Sequence, residues 1–426
     1  MKLEVKENYL YMDNAPFFWL GDTAWLLFEK LSIDEAKLYL DNRKNLGFNV
    51  IQCVLLHTYK DGFSCAGKSP HQKAYWEEVQ KIVEYAQNLG IMMGILPAWG
   101  AMVKNNTLNE ENIDTYAEFL VHLFKPYQNI IWILGGDIRG EEYFHLYDRF
   151  GKKLKELDSS RLITFHPFGR TGSYQWFKDS SWLDFHMFQS GHRRYDQVKL
   201  NAWDDKFNQD DVFGEDNYKY VRKNKDVTPV KPCLDGEPSY EGILQGLHDK
   251  KEPYWQDYDV RRYAYWSVLE GACGFTYGNN AIMQFYRTGD EGSYGVREKW
   301  REALQMPGGK QMQYLKRLML SIDFVLGQAR PDMVVDPKPF YEHISVFASK
   351  SAIVCYDYLG KEFSLDLKEY KNKSFYGYWM NPENGLINRI GSIVGKENMT
   401  VKPEKRGKIN DWVLLLVEHN EKFNLM

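Results

Sequence analysis

The sequence predicts an α/β protein, a (β/α)8 TIM barrel followed by a small antiparallel β-sandwich domain. Three observations carry this expectation. Apolar runs alternate with amphipathic segments in eight successive units from residue 17 to about residue 325. The runs are continuously apolar, as strands covered on both faces are. After residue 330 the spacing changes to short runs separated by turns.

The units follow in order. Residues 17–20 run into Gly21, Asp22 and Thr23, and a helix follows with Ser32 and Glu35 in capping-box spacing. Residues 49–56 end at His57, ahead of a helix with Tyr75, Trp76, Val79, Ile82, Val83 and Ala86 at helical spacing, closed by Gly90. Residues 91–96 end at Pro97, Ala98 and Trp99, and 130–134 at Gly135, Gly136 and Asp137. The fifth run, 162–165, ends at His166, and the sixth, 183–188, at Gln189. The seventh, 232–234, stops on Asp235-Gly236-Glu237-Pro238, and the eighth, 274–277, ends with Tyr277. A helical stretch over 297–325 is interrupted at Pro307. Eight units without a GxGxxG turn after the first strand argue against a doubly wound open sheet. The polar segment 192–230, with a helix expected near 215–225, reads as a lid or subsite wall. The expected domains are 1–326, a barrel with a short N-terminal β segment, and 327–426, the β-sandwich.

Composition narrows the function. The chain has 426 residues with 44% apolar and 26% charged side chains, as a soluble globular protein does. A net charge of -4 gives no nucleic-acid signal, and no apolar run is long enough to span a bilayer. Polar residues at the N-terminus break any signal-peptide core, so the expectation is a cytoplasmic protein or one exported with its leader removed. Cys53, Cys65, Cys233, Cys273 and Cys355 form no CxxC and read as reduced, packed thiols. Aromatic content of 15%, with 13 Trp and 29 Tyr, suits stacking on sugar rings.

In a TIM barrel the site lies at the C-terminal ends of the strands. That rule selects Asp22, His57, Trp99, Asp137, His166, His186, Gln189, Glu237 and Tyr277, with Trp25 beside them in the turn to the first helix. Asp137 and Glu237 are the expected catalytic pair, and the others are expected to bind sugar. Glycoside hydrolysis needs one carboxyl protonated and one ionised. Acid/base on strand four and nucleophile on strand seven is the arrangement of the large retaining-glycosidase barrel clan, which this chain resembles; that resemblance implies Asp137 as the general acid/base and Glu237 as the nucleophile. Asp235 is expected to face away from Glu237 and to be structural. No HExxH or first-strand HxH is present, so no metal or other cofactor is expected. A sugar-binding barrel without activity, and a metal-dependent hydrolase using the same histidines, are the alternatives.

The stretches WILGGD (132–137), DFHMFQSGH (184–192), LDGEPSYEG (234–242) and GACGFTYGNN (271–280) resemble the apiosidase-like glycoside hydrolase family. FVLGQARPD (324–332), GYWMNPENG (377–385) and DWVLLL (411–416) resemble the collagen-binding type of β domain that follows that barrel. The resemblance covers nearly the whole chain. It implies a glycosidase that removes a terminal sugar from plant or microbial glycans, with catalytic acids at Asp137 and Glu237. The expected partner is therefore an oligosaccharide or glycoside. Strand four ends on Asp where the retaining-barrel clan usually has Glu. The side chain is one methylene shorter, which either suits a furanose or branched sugar or widens the carboxylate gap towards inversion.

Overall fold

The computed structural model describes residues 2–57, 73–197, 213–407 and 409–419. Eight parallel strands form the barrel wall: Trp19–Thr23, Val50–Val54, Met92–Leu96, Ile130–Ile138, Ile163–Pro167, His186–Gln189, Cys233–Asp235 and Gly274–Tyr277. The eighth strand pairs with the first, Tyr277 beside Asp22. Strands five and six close the circle through two bonds, Asp184 N–H to the Ile163 carbonyl and Thr164 Oγ1 to the Phe185 carbonyl. A short extra strand, Thr171–Gly172, lies antiparallel on strand six.

One boundary differs from the sequence reading. Phe17 ends the strand Ala15–Phe17 of an N-terminal three-stranded antiparallel sheet, and the first barrel strand starts at Trp19. The helical stretch expected over 297–325 is broken where the sequence places the break: one helix, Trp300–Ala303, ends before Pro307, and Pro307 opens the next, Pro307–Ser321, at a first-turn position where the missing N–H costs nothing. The helix expected near 215–225 is Asn217–Lys225. The rest of the 192–230 segment, 198–212, and Cys65 lie outside the described residues. Cys53, Cys233, Cys273 and Cys355 are buried free thiols. Among the described residues, no helix is long and apolar enough to cross a membrane.

Strand pleat sets what reaches the barrel interior, since alternate residues face opposite sides. Trp19, Gly21, Gln52, Phe185, Met187, Gly236 and Thr276 meet one another inside. Leu20, Asp22, His186, Phe188 and Tyr277 therefore face the helix layer. This parity decides several of the candidates below.

The C-terminal region packs a six-stranded antiparallel sheet, whose inner strands are Ile344–Ala348, Ala352–Asp357, Trp412–Glu418 and Ser374–Met380, against a three-stranded one of Val334–Val335, Phe363–Leu365 and Met399–Val401. Trp379 and Trp412 lie in the core between them, so neither is presented to a glycan. The opposite face of the larger sheet joins the barrel's own core through Tyr356, Val413 and Leu415. Arg261, on the helix Asp257–Leu269, makes two bonds to Asp411, at 2.9 and 3.0 Å.

Candidate active site

A cavity of about 540 Å³ opens at the C-terminal ends of the strands, and Asp137, Gln189, His192, Arg193, Glu237 and Tyr240 are among the residues that line it. Its catalytic geometry begins with backbone. Gly135, Gly136 and Asp137 all have positive φ, at 93°, 98° and 46°. Register between strands four and five slips there, with Gly135 opposite His166 and Ile138 opposite Pro167. The result is a β-bulge that re-aims Asp137. Left-handed φ is free for glycine and strained for Asp, a cost that tends to be kept at functional positions. Lys104 holds the bulge by donating to the Asp137 carbonyl at 2.8 Å. A Cβ on Gly136 would sit 2.6 Å from the Trp99 ring, so only glycine lets the indole lie against the bulge.

Glu237 arrives differently. Strand seven ends at Asp235, and the chain turns through Gly236, where a Cβ would strike the Met187 side chain at 2.3 Å. Asp235 faces outwards, accepting from Ser190 Oγ at 2.6 Å and from Asn217 at 3.1 Å. Residues two apart on a strand normally share a face. Here the turn at Gly236 separates them, and Glu237 points into the cavity. His192 Nε2 lies 3.0 Å from its Oε1, and His166 Nε2 lies 3.2 Å from its Oε2.

The two carboxyls are pushed apart electrostatically. Burial, then the charge of Glu237, raises Asp137 to about 6, against smaller lowering effects from His166 and a Gln189 hydrogen bond. Burial also acts to raise Glu237, but the hydrogen bonds and charges of His166 and His192 outweigh it and hold the carboxyl at about 2. One group thus keeps its proton in mildly acidic solution while the other stays ionised. Ligand atoms of Asp137, His166 and Glu237 all lie within 4.8 Å of one another. That triplet is close enough to chelate a cation, but both Glu237 oxygens already face a histidine nitrogen at pairing distance. One carboxylate oxygen of Asp137 therefore lies within 4.8 Å of one of Glu237.

Of the other candidates, Gln189 lines the cavity, and the rest divide into two groups. Trp25, His57, Trp99 and His166 form an aromatic cluster beside Asp137, with Trp99 5.2 Å from both Trp25 and His57 and 5.8 Å from His166, and none of the four is among the residues that line the cavity. Trp25 is buried in that cluster. Asp22, His186 and Tyr277 lie outside the cavity, and their expected sugar contacts are corrected. Asp22 accepts from Arg43 at 2.5 Å and Tyr39 at 2.6 Å, in the helix layer. Tyr277 donates to Glu241 at 2.5 Å. His186 faces Ser173 Oγ at 3.0 Å and burial holds it near 3, so it is neutral. All three are on outward-facing positions of their strands. His192 and Tyr240 were missed. Each sits in a loop just after a strand end, in the DFHMFQSGH and LDGEPSYEG stretches, and strand-end position alone does not select it.

With this geometry in view, comparison with known proteins is decisive. Residues 4–325 match the family model "Apiosidase-like, catalytic domain". The chain belongs to the apiosidase-like family. Residues 331–417 of this apiosidase-like chain match a second model, "Putative collagen-binding domain of a collagenase". A solved structure described as a glycoside hydrolase is 36% identical with a TM-score of 0.90, covering 99% of this chain and 98% of its own. A glycoside hydrolase family 5 protein from Bacteroides vulgatus is 35% identical with a TM-score of 0.92, covering 99% of this chain and 94% of its own. An endo-1,4-beta-mannanase from Rhizomucor miehei, 14% identical with a TM-score of 0.50 over 74% of this chain and 99% of its own, shares the fold. No protein among curated sequences matches the apiosidase-like chain. It is a glycoside hydrolase, and its substrate is a carbohydrate.

Proposed function

We propose that this enzyme removes a terminal sugar from plant or microbial glycans by a retaining mechanism, with Glu237 as nucleophile and Asp137 as general acid/base. The observation that carries the reading is the carboxylate pair: atoms within 4.8 Å, one acid raised to about 6 and the other held at about 2. Retaining enzymes place the pair roughly 5–5.5 Å apart, whereas inverting ones leave roughly 6.5–9.5 Å for a water.

The steps follow from the protonation states. Asp137 donates its proton to the glycosidic oxygen as the bond to the anomeric carbon breaks. Ionised Glu237 attacks that carbon from the opposite face and forms a glycosyl ester. Asp137, now a carboxylate, takes a proton from water, and the water displaces Glu237 with net retention. A cavity of about 540 Å³ is in the range of small-ligand pockets and has room for a terminal residue with its neighbour.

The test is sugar release from a panel of plant-wall oligosaccharides, including apiose-bearing pectin fragments, by wild type, Asp137→Asn and Glu237→Gln. Either substitution should cost about 10²–10⁴-fold in kcat with little change in Tm. Product anomers read by NMR at early times should match the substrate's. Full activity in Glu237→Gln, or an inverted first product, would overturn the assignment.

A further inference from the structure

The C-terminal β domain reaches the wall of the substrate cavity. His192, Arg193 and Gln197 line that cavity from the loop after strand six. Between them Tyr195, at the start of the short turn Tyr195–Gln197, looks away from the cavity and into the domain seam. Its ring packs edge-on against Phe340 at 4.8 Å and Tyr341 at 5.2 Å, both from the β domain. Its backbone N–H donates to Glu215 Oε1 at 3.2 Å. Tyr341 donates its hydroxyl to the same oxygen at 2.6 Å. The other Glu215 oxygen pairs with Arg262, whose guanidinium lies 4.8 Å from the Tyr341 ring and 5.0 Å from the Tyr358 ring.

Glu215 is fully buried, so its charge needs these donors. A buried carboxylate shared by a loop amide, a barrel arginine and a domain tyrosine fixes the loop's position relative to the β domain. The same loop carries His192, which faces Glu237.

We propose that the β domain is a positioning element of the substrate cavity, with Tyr341 acting through Glu215 on the 192–197 loop. The proposal rests on reading the cavity as the sugar site. It assigns the domain a role in substrate affinity that needs no glycan on its own surface.

The test uses the full chain as wild type, Tyr341→Phe and Tyr356→Phe. Tyr356 donates to Asp411 at 3.0 Å in the same domain seam, with no contact to the loop, so it controls for general loosening. Deuterium exchange of the 192–197 peptide should speed up on the order of tenfold in Tyr341→Phe and stay at the wild-type rate in Tyr356→Phe. With whichever panel oligosaccharide the wild type cleaves, KM should rise roughly 3- to 10-fold in Tyr341→Phe, with kcat within about twofold, and stay unchanged in Tyr356→Phe. Unchanged loop exchange, equal effects in both variants, or faster exchange with unchanged KM would each overturn the proposal. A wild type that cleaves nothing would count against the sugar reading, while the exchange comparison would still decide whether Tyr341 holds the loop.

Discussion

His192 and Glu237 meet inside the barrel opening, Nε2 against Oε1 at 3.0 Å, on loops that leave two neighbouring strands. This contact, with His166 on the other oxygen, makes a carboxylate stable where burial alone would keep it protonated. Glu237 and Asp137 carry the same functional group in similar surroundings, and the histidines break the symmetry between them.

Removing His192 should therefore shift the pH profile. The proposed mechanism needs Glu237 ionised and Asp137 protonated, so kcat/KM of the wild type should be highest between about 2 and about 6. His192 lowers both carboxyls, Glu237 directly and Asp137 more weakly. In His192→Asn both limbs of the profile should move to higher pH, the acidic limb further, because a less stabilised Glu237 carboxylate takes up its proton sooner. Maximal kcat/KM should fall about 10-fold to 10²-fold. An acidic limb that stays in place would show that His192 does not hold the charge of Glu237.

The bulge at strand four gives a second prediction. Gly136→Ala places a Cβ at φ 98° and 2.6 Å from the Trp99 ring. The backbone or the indole must give way, and Asp137 moves with it. A displacement of about 1 Å can cost about 10²-fold in rate. kcat should fall by about that factor while circular dichroism stays native and the Glu237 side of the site is intact. An alanine variant with wild-type kcat would mean that the bulge tolerates a side chain and that Asp137 needs no such aiming.

Much of this was legible beforehand, and for a physical reason. The apolar runs specify strands, and strand order in a TIM barrel specifies which ends share an opening, so Asp137 and Glu237 could be paired from spacing alone. Parity within each strand was harder to read. Asp22, His186 and Tyr277 sit at or near strand ends but on the outward pleat, whereas His166 and Gln189 sit on the inward one. Continuously apolar strands carry no alternation that would reveal the difference. His192 and Tyr240 lie one loop beyond the strands, where distance along the chain says little about distance in space. Gly135-Gly136 point to a bend, but the bulge itself shows only in the register slip between strands four and five.

Asp22 offers the sharpest test of that parity. Its carboxylate accepts from Arg43 at 2.5 Å and from Tyr39 at 2.6 Å, with all three side chains buried behind the barrel wall. Removing one partner of a buried ion pair costs about 3–5 kcal/mol, because the other charge is left without compensation. Asp22→Asn should lower the urea midpoint substantially, yet the folded fraction should bind and cleave with wild-type KM. Tyr277→Phe is the gentler companion. It removes only the hydroxyl bonded to Glu241, at about 1–3 kcal/mol. If either variant raised KM several-fold at unchanged stability, the residue would belong to the sugar site after all, and the outward assignment of its strand position would be wrong. A loss of stability with KM unchanged in both would establish that these polar residues hold the barrel to its helices and leave substrate binding to the residues that line the cavity.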